Sequence, residues 1–270
     1  MIGAAGLSAA DTIMVRLLTQ DLHPFLIVFF RSVFGLLFIS PWILRKSSVL
    51  KSNYAWLHLL RAALKILSLV AFFLAIAEAA LADVTAIAFT TPVFVTLGAW
   101  AILKEQPGLR RVIAVIFGFV GVLVIIRPGS GPVSPALFYA VGGAMIAAVI
   151  HLMLKRMSAR DSTETLIAWN LIVTVPLAAI PVYWFWTTPS WQQLALLALQ
   201  GGVGALNMAM ITRAMALADV SHIAPIDFLR LPAVALLAYL LFGEAVTAST
   251  LLGGGVIFVS TLLMAAAIRK

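Results

Sequence analysis

The chain has 270 residues, of which 63% are hydrophobic and only 10% charged, and its mean hydropathy is +1.10. Those proportions exclude a soluble globular domain, and the absence of cysteine excludes disulfides and thiolate metal sites. The formal net charge of +8 has meaning through its placement, because in a polytopic membrane protein basic residues report topology rather than nucleic-acid binding.

Apolar runs read against their breakers predict ten helices, at 2–19, 24–44, 55–79, 82–103, 109–127, 134–155, 164–187, 191–213, 221–242 and 247–268. Each is near the roughly 20 residues that one membrane span requires. The breakers are of the expected kind, among them Asp21-Leu22-His23-Pro24, Gln106-Pro107-Gly108, Pro128-Gly129-Ser130-Gly131-Pro132 and Thr187-Thr188-Pro189-Ser190. Continuous runs of this length exclude a barrel of short alternating strands. Met1 opens onto an Ala/Gly-rich segment that contains Asp11 and Arg16, so no cleavable signal peptide is expected.

A stretch in the first half returns in the second. Ala80-Leu81-Ala82-Asp83-Val84-Thr85, followed by Pro92 and Lys104-Glu105, is echoed by Ala216-Leu217-Ala218-Asp219-Val220-Ser221, followed by Pro232 and Gly243-Glu244. The offset drifts from 136 at the aspartates to 139 at the glutamates, the drift of a duplicated unit with a small insertion. Two units are expected, 1–130 and 131–270.

With the N-terminus in the cytoplasm, the inner connections and C-terminus carry eleven basic residues: Arg45, Lys46, Lys51, Lys104, Arg110, Arg111, Lys155, Arg156, Arg160, Arg269 and Lys270. The outer connections carry Arg127 alone, so the Lys/Arg bias orients both termini to the cytoplasm. Five helices per unit is an odd number, which makes the second unit enter the membrane from the opposite side. The expected fold is therefore an all-α membrane protein of ten transmembrane helices in two inverted five-helix repeats, an arrangement suited to alternating access about a central site.

The two Ala-Asp-Val blocks, the helices from Pro92 to Glu105 and from Pro232 to Glu244, Gly118 and Gly121 with Gly253-Gly254-Gly255, and Arg31 together carry a resemblance. On these residues the chain resembles the EamA-type bacterial transporters of the drug/metabolite transporter superfamily. The resemblance implies a basket-like bundle whose cavity is walled mainly by helices 1, 3, 4, 6, 8 and 9, in a bacterial inner membrane. It implies a secondary transporter, not an enzyme, moving small amphipathic metabolites such as amino acids, in the direction of export. Uptake of a larger cofactor-like metabolite, S-adenosylmethionine or riboflavin, is the alternative. The first helix departs from the family pattern by being short at its N-terminal end.

An ionisable side chain in the hydrocarbon costs a few kcal/mol even on lenient scales, so intramembrane charges are the first candidates for substrate contact. Lys65, ten residues into its helix, stands near the midplane, and Phe72 shares its face seven residues on. Asp227 and Arg230, three apart on one face, are candidates for substrate contact or else for a self-contained ion pair, and Asp11 is a partner for Lys65 or Arg230. Thr90 and Phe94 flank Pro92, while Asn207 and His151 add hydrogen-bonding groups. Pro92, Pro225 and Pro232 are expected hinges. Asp11 and Asp227 are also the candidate proton carriers, with protons as the coupling ion. Zinc-type His-Glu-x-x-His, a phosphate-binding glycine loop and a serine nucleophile elbow are all missing, and no cofactor or metal is expected.

Overall fold

The computed structural model describes residues 2–45, 47–103, 108–128, 134–217 and 227–267. Its elements are α1 (Ile2–Leu18), α2 (Pro24–Arg45), a 3-10 turn (Ser47–Leu50), α3 (Ala55–Glu78), α4 (Leu81–Ala88), α5 (Thr91–Leu103) and α6 (Leu109–Ile126). After these come α7 (Pro135–Met157), α8 (Thr163–Val182), α9 (Trp191–Leu217), α10 (Arg230–Phe242) and α11 (Ala248–Ala267). Among the described residues there is no strand. Among the described residues, eight segments are long and apolar enough to cross a bilayer, with α10 a shorter apolar helix and α1 17 residues long. Lys104, Glu105, Asp219 and Pro225, together with the expected boundary at 130/131, lie outside the described residues.

Three expected helices differ from the observed ones. The span foreseen at 82–103 is two helices, because the chain turns at Phe89-Thr90 and Pro92 enters only at the second position of α5. A proline there gives up an amide hydrogen that the first helical turn does not need, so it starts a helix rather than kinking one. Pro232 is likewise the third residue of α10, after a turn at Phe228-Leu229. The helix foreseen to 187 ends at Val182, where Tyr183, Trp184 and Phe185 make successive turns.

Large apolar side chains face outward along most helices; Leu37 and Phe38 are both 59% exposed, and Leu251 and Leu252 both 66%. In lipid that exposure carries no penalty, so burial of apolar area cannot be what joins the helices; close packing and interhelical hydrogen bonds must do it. The tightest crossing pairs α6 with α11, where a Cβ on Gly121 would stand 2.8 Å from the carbonyl oxygen of Gly253, and one on Gly253 2.7 Å from that of Gly121. At the same crossing Ser260 donates to the Ala114 carbonyl at 2.6 Å. A second close approach brings Gly201 of α9 against Phe34 and Gly35 of α2. Elsewhere α3 packs on α7 and α8, α1 on α9 and α10, α4 on α10, α5 on α7, and α2 on α8 and α9. Phe89 and Phe228 meet at a ring separation of 4.5 Å where the two turns face each other.

At one end of the bundle, the loop before α8 is tied to the start of α3. Asp161 accepts from Ser52 Oγ at 2.5 Å, from the Asn53 amide at 2.9 Å, from Asn53 Nδ2 at 3.1 Å and from His58 Nε2 at 3.1 Å. Arg61 Nη2 donates to His58 Nδ1 at 3.2 Å and to the Leu166 carbonyl at 2.6 Å. Arginine can only donate, so His58 Nδ1 is the acceptor and the ring proton sits on Nε2, facing Asp161. Asp161 lies outside the spans; burial raises its carboxyl, but the hydrogen bonds from Asn53, Ser52 and His58 outweigh it and hold the group below its ordinary value.

Candidate functional site

The polar residues of α1 gather on one face, at Ser8, Asp11 and Thr12, by the spacing of three and four that a helix turns through. Around them three other helices bring side chains. Arg31 of α2 pairs with Asp11, Nη2 to Oδ2 at 3.1 Å. Asn207 of α9 donates through Nδ2 to Ser8 Oγ at 2.9 Å, and Arg230, opening α10, donates to Thr12 Oγ1 at 3.3 Å. The guanidinium of Arg31 lies along Gly204, where a Cβ would meet Nη2 at 3.0 Å and Nε at 3.2 Å, so that glycine makes the room the arginine occupies. Arg31 is thus the hub of the constellation, linked to Asp11 by contact and acting electrostatically on Lys65 and Arg230.

Three buried polar atoms here lack a hydrogen-bond partner among the described residues: Asp11 Oδ1, Asn207 Oδ1 and Arg230 Nε. Two are acceptors and one is a donor. Buried polar groups are ordinarily satisfied, so three orphans on adjoining helices mark a place where water or a ligand completes the set. Lys65 adds a charge to one side. It is partly accessible although it stands deep among the helices, and the charged groups that act on it are Arg31 and Arg61, both cationic. Of the two partners expected for Asp11, Lys65 and Arg230, neither is in contact with it: Asp11 spends one oxygen on Arg31 and acts on Arg230 only electrostatically.

Phe72, Thr90, Phe94 and His151 make their contacts elsewhere, whereas Asp227 reaches this cluster through Arg230. Phe72 lays its ring over Gly143 of α7, where a Cβ would come within 3.0 Å, and Ser68, one turn before it, donates to the Gly143 carbonyl at 2.9 Å. Thr90 donates to the Ile87 carbonyl at 2.6 Å within its own turn, and Phe94 packs edge-on against Phe119 of α6. His151 is exposed and its Nδ1 bonds the carbonyl of Ala147 on the same helix at 2.7 Å. Asp227 and Arg230 act on each other across the Phe228-Leu229 turn, with no hydrogen bond between them among the described residues. They do not share a helical face, since α10 begins only at Arg230.

Sequence reasoning gave Arg31 only as a mark of resemblance. A signal for its role was present: an arginine within an apolar run needs a counter-ion, and Asp11 is one of few acids inside the spans.

A bundle of apolar helices that gathers charged and amide side chains from several of its helices is compatible with a membrane carrier. The chain matches the EamA-like transporter family over residues 1–127 and again over 134–266, and it belongs to that family. It is a multi-pass membrane transporter and not an enzyme. It is 28% identical over 258 residues to an S-adenosylmethionine uptake transporter of Rickettsia bellii, covering 95% of this chain and 89% of that one. It is 30% identical over 217 residues to a riboflavin transporter of Vibrio cholerae, with coverage of 80% and 72%. A pseudopaline exporter, CntI, of Pseudomonas aeruginosa is 30% identical over 243 residues, with coverage of 88% and 84%. A solved crystal structure shares the fold at a TM-score of 0.66 with 19% identity, over 100% of this chain and 98% of the other.

Proposed function

We propose that this chain is an uptake carrier for a cofactor-sized metabolite that bears a zwitterionic, amino-acid-like end, with S-adenosylmethionine as the first candidate. The observation that carries the reading is the orphaned set: acceptors at Asp11 Oδ1 and Asn207 Oδ1 suit an ammonium and Arg230 Nε suits a carboxylate, with Lys65, outside that set, as a further cation on the side of Arg31. S-adenosylmethionine offers both groups and a sulfonium besides; riboflavin offers neither charge. Riboflavin is the second reading, favoured by the 30% identity to the Vibrio cholerae transporter. The expectation of an amino-acid exporter is set aside, since the relatives with S-adenosylmethionine and riboflavin names support the cofactor-like alternative.

The proposed mechanism is alternating access between two inverted five-helix halves, 1–130 and 131–270, with ten spans and both termini cytoplasmic. Support comes from packing that repeats itself when each position is exchanged with the one 139 away. Gly118 meets Ser260 and Gly121 meets Ile257, and the exchange turns one contact into the other. Phe89 and Phe228, also 139 apart, meet each other. The pairing of α1 with α9 corresponds in the same way to that of α7 with α3. Protons are the proposed coupling ion, carried by Asp11 or Asp227.

Proteoliposomes loaded with the purified protein test the reading with labelled S-adenosylmethionine, riboflavin and a panel of amino acids, with and without an imposed pH gradient. Saturable S-adenosylmethionine flux is expected, and flux of riboflavin alone or of amino acids alone overturns it.

A further inference from the structure

At the end of the bundle where α1, α3 and α10 finish and α4 begins, a single ion pair joins all four helices. Arg16 Nη2 donates to Glu244 Oε1 at 2.8 Å. Arg16 Nη1 turns the other way, to the carbonyls that close α3, those of Ile76 and Ala79, the second at 3.3 Å. The free oxygen of the carboxylate, Glu244 Oε2, accepts from the Leu81 amide at 2.9 Å, the first N–H of α4. Helix ends leave carbonyls unpaired at the C-terminus and amides at the N-terminus. The guanidinium therefore satisfies the end of α3 while the carboxylate satisfies the start of α4, each favoured by the local dipole.

The backbone sets Glu244 in position. Gly243 closes α10 with φ +68, and the turn returns hydrogen bonds from Gly243 to Tyr239 at 3.0 Å and from Glu244 to Ala238 at 3.2 Å, which aims Glu244 back across the bundle. A second layer ties the same end: Thr250 Oγ1 donates to Asp83 at 2.5 Å, and Arg127 Nη2 donates to Thr247 Oγ1 at 2.5 Å. Behind the pair is a small cleft walled by Ala80, Ala82, Ala235, Ala238 and Val246.

We propose that Arg16 and Glu244 are gate residues that seal this end of the bundle and part in every transport cycle. Glu244 comes from the second half of the chain, and the groups its carboxylate bonds, the Arg16 guanidinium and the Leu81 amide, come from the first, so a rocking of one half against the other that opens this end has to break the pair. Both side chains keep about a fifth of their surface accessible, 21% for Arg16 and 18% for Glu244. Water can therefore take over their hydrogen bonds on release, which a fully buried pair could not manage without a large desolvation cost. The inference rests on the transport reading for its purpose, but its test uses no substrate, so failure of one is separable from failure of the other.

The absence of cysteine from the chain allows a direct assay. Ala238→Cys places a thiol in the cleft at a position 1% exposed, and Ala168→Cys places a control thiol, 0% exposed, in a separate apolar cluster with Ile43 and Val49. Reconstituted protein is treated with a membrane-impermeant maleimide, applied to each face in separate samples, with and without Glu244→Gln or Arg16→Gln. Loss of the pair should raise labelling at Ala238→Cys from one face by about fivefold or more, the lower bound of a typical coupling between two states, and leave Ala168→Cys unchanged. No rise at Ala238→Cys overturns the gate. A rise at both positions also overturns it, since that is general loosening by a structural pair.

Discussion

Two glycines two residues apart on α11 should respond differently to the same substitution. Gly253 stands at the α6 crossing, where an added Cβ would lie 2.7 Å from the Gly121 carbonyl oxygen and 2.6 Å from Ile125 Cγ1. Ordinary contact begins near 3.4 Å, and a backbone oxygen cannot rotate aside, so Gly253→Ala has to part α6 from α11 by several tenths of an ångström. Overpacking of that kind costs about 1–3 kcal/mol. Gly255 has nothing within 4 Å of its Cβ position, so Gly255→Ala should keep only the helix-propensity gain of about 1 kcal/mol. Propensity is common to both variants and cancels in their difference, which reads the interface alone: about 1–3 kcal/mol in favour of Gly255→Ala. Equilibrium unfolding of the two variants by SDS titration in mixed micelles, followed by circular dichroism, measures it. Adding Gly121→Ala to Gly253→Ala should cost less than the sum, because both enlarge one contact. Equal stability of Gly253→Ala and Gly255→Ala would refute the reasoning that close backbone approach holds this crossing.

Lys65→Met keeps length and removes charge; if Lys65 meets a substrate carboxylate, the concentration for half-maximal flux should rise about tenfold or more, the worth of one charged hydrogen bond, with insertion and thermal stability unchanged. Stability lost together with unaltered half-saturation would make Lys65 a structural residue. Asp161→Asn should cost about 1.5–3 kcal/mol, since four donors converge on that carboxylate. Asp161 in the folded protein titrates below its ordinary value of 3.8, so its contribution is complete above that pH and lost as the pH falls through the folded value. Thermal stability attributable to Asp161, the wild type less Asp161→Asn, should be flat between about pH 8 and 5 and shrink only in stronger acid; a decline already at neutral pH would contradict this. Single cysteines at Ser130 and Ser158 should label from outside and inside respectively, and the reverse pattern would invert the proposed topology. Should Asp11→Asn and Asp227→Asn both keep uptake driven by a pH gradient, neither acid carries the coupling proton.

Hydropathy and breaker positions were enough to read an all-helical membrane chain, because the cost of bare backbone in lipid leaves almost no other solution. The same logic made intramembrane charges the candidate site, and Asp11, Asn207 and Arg230 do converge with Lys65 nearby. Partner choice was not legible. Whether Asp11 pairs with Lys65 or with Arg31 depends on how α2 crosses α9, and that crossing is set by Gly35, Gly201 and Gly204, residues whose role is to be absent. Nor could periodicity tell a proline that kinks a helix from one that begins it: Pro92 and Pro232 each follow a turn whose phenylalanine is met by the other, a long-range contact invisible in either segment alone. Arg16 and Glu244 are 228 positions apart, and no local pattern links them. Only the packed bundle, by bringing four helix ends together, decided that these two charges face each other.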